Sequence, residues 1–211
     1  MRIVQLVDHH SENMGYSDAC LSSSLSKLSN EIFVVSSFGN AYFNHKDYEK
    51  IFSKFHKKKE KKSYSHVNNY NLYRLRSLKT PFGIYLFGLY KLLREIKPDI
   101  VQVGEVTSFL SFQATVYNFF IKYILTLECH IHSSVYAPSK TYKQLYGLLT
   151  IKNFTKFFLK KIKQILFKYI VMKIINLKMK ACFSISEDSF QIANKYLGVD
   201  KKKNKVLTLG T

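Results

Sequence analysis

The chain has 211 residues, enough for one α/β domain with a substantial core and too few for two. Hydrophobic residues make up 46% of it and aromatic ones 15%, which excludes an intrinsically disordered chain, because that much apolar side chain offsets the entropy of ordering. Lys and Arg number 33 against 14 Asp and Glu, a formal net charge of +19. Such a field attracts nucleic acid, anionic lipid or phosphorylated substrates. The same excess also fits the Lys-, Asn-, Ile-, Tyr- and Phe-rich composition that AT-rich coding DNA produces.

In chain order, Arg2 to Val7 is a continuous apolar run, the pattern of a strand buried on both faces of a parallel sheet. No small-residue cleavage site follows it, so no signal peptide is expected. After the polar loop DHHSENMG, Ser17 to Leu28 carries apolar residues at helical spacing, with Ser17 or Asp18 placed to cap its start. Ile32 to Val35 gives a second strand. Residues 40–70 lose the pattern around the basic run Lys57 to Lys62 and are predicted to be a solvated, mobile excursion. Asn71 to Leu75 reads as strand, Gly83 to Ile96 as a helix ended by Pro98, and Asp99 to Val103 as a buried strand. Val106 to Tyr123 is predicted to be helix, Ile124 to Cys129 strand, and residues 142–178 a basic amphipathic helical region.

The last part is the most regular. Ala181 to Ile185 reads as strand, Glu187 to Tyr196 as a helix capped by Ser186 and stopped at Gly198, and Lys205 to Leu209 as a final strand. Alternating strands and helices predict an α/β fold, a doubly wound, mostly parallel Rossmann-like sheet with its ligand crevice at the carboxyl ends of the strands. The apolar stretches Phe119 to Leu127 and Ile165 to Leu177 are interrupted by lysines and fall short of the roughly 20 apolar residues of a membrane span. Cys20, Cys129 and Cys182 form no paired framework, which predicts reduced thiols in a cytosolic protein.

Several local patterns recur in an order that resembles glycosyltransferase family 4, the retaining GT-B enzymes. MRIVQLVDHH with MGYSDACLSSSLSKLSNEIFVVSS is similar to that family's first β-loop-α-β unit, although it has Gly15 alone where the family usually has a glycine pair, and SNEI where it has GHEV. KPDIVQVGE resembles the family strand "kPDivhvh", LTLECHIH the next strand ending in a histidine, and ACFSISEDSFQIANKYLGVDKKKNKVLTLG the segment that closes the N-terminal domain. The resemblance covers nearly the whole chain apart from residues 40–70 and 140–178. It implies that residues 1–211 are the acceptor-side half of a GT-B enzyme and that the donor-binding C-terminal domain is absent.

On that reading a retaining transfer needs an acceptor hydroxyl held in line with the anomeric carbon. By resemblance His130 matches a family histidine near the reacting sugars, and it is the candidate catalytic residue; a locally bonded, partly buried histidine is the structural alternative. Gly15 and Tyr16 lie in the first loop, where a glycine either lets backbone approach a ligand or simply makes a turn. Asp8, His9 and Glu105 follow strands and are candidate cleft contacts, as is His132 two residues beyond His130. The His-x-His pair has only Glu128 and Cys129 to complete a ligand set, so no metal is expected, nor any cofactor beyond a nucleotide-sugar donor acting as substrate.

Between Lys152 and Lys180, aromatic and aliphatic residues recur at helical intervals among lysines. Lys160, Lys161, Lys163 and Lys168 are candidate membrane-docking residues at an anionic surface, or the solvated face of a helix packed on the sheet. The expected protein transfers a sugar from a nucleotide-sugar to a glycan or lipid-linked acceptor in cell-envelope polysaccharide synthesis, in the cytoplasm or peripherally on the inner membrane face. The alternative is a non-catalytic binding half that pairs with a separate donor-binding chain. A nucleic-acid partner is disfavoured, because no zinc-finger, KH or RRM signature accompanies the charge.

Overall fold

The computed structural model describes residues 1–11, 17–39, 47–53, 61–67, 69–80, 83–131, 162 and 166–207. The chain forms two compact units, Met1–Leu127 and Glu128–Thr211. It is α/β, and apart from two antiparallel pairings every described strand pair is parallel.

In the first unit, β1 (Arg2–Leu6), β2 (Glu31–Ser37), β3 (Tyr64–Val67), β4 (Tyr70–Leu75), β7 (Ile100–Val103) and β8 (Ile124–Cys129, to its Leu127) lie in the order β8-β7-β1-β2-β4-β3. Only the edge strand β3 runs antiparallel to its neighbour. The core of the sheet is apolar: Val4, Leu6, Val34, Val35, Leu72, Val101, Leu125 and Leu127 have no exposed surface. Each such side chain contributes about 1.5–3 kcal/mol of burial, which is why continuous apolar runs mark these strands in the sequence. Helices α1 (Ser17–Lys27), α2 (Tyr48–Ile51), α3 (Leu89–Ile96) and α4 (Phe109–Asn118) flank the strands, and a separate hairpin joins β5 (Ser77–Thr80) to β6 (Gly83–Leu86). The chain builds outward from β1 through β2 to β4, then returns to lay β7 on the other side of β1. That reversal opens a crevice above the carboxyl ends of β1 and β7, where ligands of such sheets bind.

In the second unit, Met179–Ser184 (β9) pairs in parallel with Asn204–Val206 (β10). A π-helical turn, Phe167–Val171, leads into α5 (Met172–Lys178), and α6 (Glu187–Ile192) continues into a second π-helical turn, Ala193–Leu197. Ser186 accepts a hydrogen bond from the Ser189 amide at 3.1 Å, and Gly198 ends the segment in the left-handed conformation, so the predicted cap and stop are both present.

Several sequence expectations are corrected. The predicted helix over Gly83 to Ile96 is a strand followed by a helix. Gly83 sits at φ +129, a conformation that suits a hairpin and not a helix, and the Gln113 side chain holds Leu86 by both its amide (3.1 Å) and its carbonyl (2.7 Å). The helix expected over Val106 to Tyr123 is shorter, because Ser108 caps it and Asn118 turns back to donate to the Tyr123 carbonyl. Inside the expected excursion, Tyr48 is buried in α2 and β3 pairs with β4. The rest of that segment (40–46, 54–60 and 68) lies outside the described residues, as do 142–161 and 163–165 of the basic helical region and 208–211 of the last predicted strand.

Candidate functional site

The register of the first unit assembles a polar cluster at the crevice. Leu6 lies opposite Val35 and Val103, so the residues two further along each segment come together at the carboxyl ends of the strands: Asp8 faces Ser37 at the end of β2, and Glu105 follows β7. Asp8 accepts a 2.6 Å hydrogen bond at Oδ1 from the Ser108 hydroxyl, while its carbonyl accepts from the Ser37 hydroxyl at 2.7 Å. Ser108 in turn caps α4, accepting from the Leu110 amide, and its own amide donates to the Glu105 carbonyl. The Glu105 carboxylate receives the Thr107 amide and hydroxyl at 3.2 and 3.3 Å, so it is held at the start of α4. Gly104 passes close to β1: an added Cβ there would stand 3.1 Å from Val7 Cγ1.

His9 is fixed as one tautomer. Its Nδ1 lies 3.1 Å from the Gly39 carbonyl, which can only accept, and 2.8 Å from Ser37 Oγ, whose own proton is directed to Asp8. Nδ1 therefore carries the proton, and in the neutral ring Nε2 is the accepting nitrogen. Burial pushes His9 below its ordinary value of 6.5, against the opposing pull of Asp8 and the Gly39 carbonyl. Burial likewise pushes Asp8 above 3.8, with the Ser108 hydrogen bond and His9 opposing it. Burial thus acts on both of two adjacent titratable groups, as is common where a fold builds a functional site. Next to them, His10 is fully buried, 2.9 Å from the Tyr70 hydroxyl, and its carbonyl accepts from the buried Arg74.

In the second unit His130 stands at the end of β8 with Nε2 2.7 Å from Glu128 Oε2, both side chains partly exposed. A carboxylate at that distance orients the imidazole through Nε2. Glu128, considered in the sequence only as a metal ligand, is thus the partner of the candidate histidine. Among the described residues no group of three or more His, Cys, Asp or Glu is placed to hold a metal ion.

The fold gathers Asp8, His9 and Glu105 in the first unit and holds His130 in the second. Gly15, Tyr16, His132, Lys160, Lys161 and Lys163 lie outside the described residues, and of Lys168 only the backbone, in the π-helical turn, is described. Sequence reasoning missed Ser37 and Ser108, and the pairing of Glu128 with His130. Ser108 was detectable as a serine preceding a helical apolar pattern, whereas Ser37 and that pairing become visible only through strand register and side-chain direction.

A sheet with its reversal point beside the first strand, and polar side chains collected there, belongs to the Rossmann-like class of α/β folds. No protein-family model matches the chain. A search of curated proteins also finds no match. Among solved structures, the chain superposes on a protein of Anabaena, Alr3699/HepE, crystallised with UDP, with a TM-score of 0.53 and 11% identity over 100% of this chain and 44% of that one. The complex of the same Anabaena protein with UDP and glucose gives a TM-score of 0.51 and 11% identity, again with 44% of that chain covered. A fragment of sucrose-phosphate synthase from Thermosynechococcus elongatus gives 0.56 at 7% identity, covering 100% of this chain and 90% of the fragment. The chain therefore has the fold found in these proteins and spans less than half of the Anabaena protein.

Proposed function

We propose that the chain is the acceptor-side half of a GT-B glycosyltransferase of the retaining family 4 type. In this reading it cooperates with a donor-binding domain, on the same or a separate chain, to move a sugar from a nucleotide donor to a glycan or lipid-linked acceptor. One observation carries the reading: the whole chain superposes on just under half of a protein that was crystallised with UDP and glucose, and it does so with a polar cluster at the carboxyl edge of its sheet.

In this reading Asp8, His9 and Glu105 contact acceptor hydroxyls, and His130, oriented by Glu128, lies at the reacting sugar. Gly15, Tyr16 and His132 complete the proposed cleft. A carboxyl group and an imidazole held side by side suit a sugar, because both can exchange hydrogen bonds with its hydroxyls. Catalysis is then a matter of positioning and electrostatics, with the nucleotide as leaving group and no resident cofactor or metal. For the chain taken alone the expectation is acceptor binding without turnover.

A membrane-facing acceptor is supported by the helical segment around the proposed docking lysines. Ile162, Leu166, Tyr169, Ile170 and Leu177 are all more than a third exposed, and Lys173 and Lys178 lie in the same stretch of chain.

The test is sugar transfer from labelled nucleotide-sugars into a membrane-extract acceptor pool by the protein supplied with its donor domain. Label should enter glycan or glycolipid, and His130→Ala should reduce that transfer about a hundredfold or more. Full transfer by His130→Ala removes the residue from the site, and no transfer with any nucleotide-sugar removes the glycosyltransferase reading.

A further inference from the structure

Three polar residues follow Val7 at the end of β1, and the third is placed differently from the other two. Asp8 and His9 are half-buried at the crevice, whereas His10 and the next residue, Ser11, are 0% and 1% exposed. Connecting segments ordinarily run over a protein surface, because backbone groups taken out of water must find partners. Here the chain leaving β1 turns inside, and β4 supplies partners for it. The His10 Nε2 lies 2.9 Å from the Tyr70 hydroxyl with the two rings edge-on at 5.8 Å, and the His10 carbonyl accepts from Arg74 Nη1 at 3.2 Å.

Tyr70, Leu72 and Arg74 are the buried residues of β4 and alternate along it, so they share one face of the strand. Tyr70 and Arg74 are thus four residues apart, roughly 13 Å along the strand. Both nevertheless reach the same loop residue, one at its ring and the other at its backbone. Aliphatic residues would serve for packing alone; a buried guanidinium is unfavourable unless hydrogen bonds replace its hydration, and a buried phenol needs a partner as well. Their shared target is bonded directly to His9. The His9 ring in turn depends on position: its Nδ1 is 2.8 Å from Ser37 Oγ and 3.1 Å from the Gly39 carbonyl. A shift of about half an ångström takes the longer of these contacts past hydrogen-bond range.

We propose that Tyr70 and Arg74 are positioning residues for Asp8 and His9. By holding His10 at its ring and its backbone, they set the path of the chain as it leaves β1. That path keeps the His9 imidazole against Ser37 and Gly39 in a single tautomer, beside the Asp8 carboxyl group. The two residues act through His10 from a strand that is separated from β1 by β2. Their effect on sugar transfer rests on the acceptor-site reading given above; their effect on His9 rests on the hydrogen bonds alone.

The test reads the ring nitrogens of isotope-labelled histidine by NMR in the full chain at mildly alkaline pH. The parent should show His9 protonated at Nδ1 alone. Tyr70→Phe and Arg74→Met should each move the two His9 nitrogen shifts toward the average of the tautomers, and Arg74→Lys, which keeps a donor for the His10 carbonyl, should restore the parent pattern. In the protein supplied with its donor domain, Tyr70→Phe and Arg74→Met should raise the acceptor KM about tenfold while the donor KM and kcat stay within about twofold. Parent-like His9 shifts in both variants overturn the assignment. Moved shifts with an unchanged acceptor KM sustain it and instead remove acceptor binding from Asp8 and His9. Tyr70→Phe, which removes a single oxygen, decides the outcome if Arg74→Met does not fold.

Discussion

His9 and Asp8 are neighbours whose burial drives them toward neutrality from opposite sides, and this has a measurable sign. A histidine with a lowered folded-state pKa adds stability that is present above 6.5 and is lost as pH falls through the folded value; an aspartate with a raised one favours the fold below 3.8 and loses that contribution as pH climbs through its folded value. Urea midpoints measured across pH should therefore decline on the acid side of 6.5, and His9→Gln should flatten that decline. An unchanged slope in the variant would show that burial does not lower the pKa of His9 in the folded chain. Ser108 both caps α4 and donates to Asp8, so Ser108→Ala should cost about 1–2 kcal/mol by urea unfolding at neutral pH. A cost near zero would mean that neither bond is formed in solution. Of this cluster, Asp8, His9 and Glu105 were legible in the sequence because they follow buried runs. Their serine partners were not, since register is a property of pairing and not of a single strand.

At the scale of elements, the buried parallel strands were readable as short apolar-rich runs between helical patterns, and the run Ile124 to Cys129 matches β8 at both ends. The β5–β6 hairpin was not readable. Its residues lack strict alternation, and besides its pairing with β5 the end of β6 is held by a side chain 27 residues away. Gln113→Leu would leave the buried amide and carbonyl of Leu86 without those partners, with an expected loss of about 2 kcal/mol in denaturant unfolding and faster amide exchange at Leu86. Gly83→Ala should destabilise too, because it combines φ +129 with a Cβ only 3.0 Å from the Phe109 amide nitrogen. A stability equal to the parent's would show that the hairpin adopts another turn. The shortening of α4 has a similar origin: periodicity continues past Asn118, but that side chain redirects the backbone by capturing Tyr123. Nearby, Tyr123 donates to the Ala114 carbonyl, and burial pushes its phenol well above the usual tyrosine value.

For the whole molecule, the fold is shared with proteins at 7–11% identity, so the topology reached from alternating apolar runs survives where the side chains have almost entirely changed. Function is carried by the side chains placed on that topology. The central proposal is that the carboxyl edge of the sheet holds a saccharide acceptor. Amide and histidine chemical shifts of the isotopically labelled chain, recorded while saccharides and then UDP are added, test it most directly. Saccharide should shift Asp8, His9, Glu105 and His130 in a saturable way, and UDP alone should leave them near their starting positions. Saturable shifts at these residues from UDP and none from any saccharide would contradict the acceptor-side assignment.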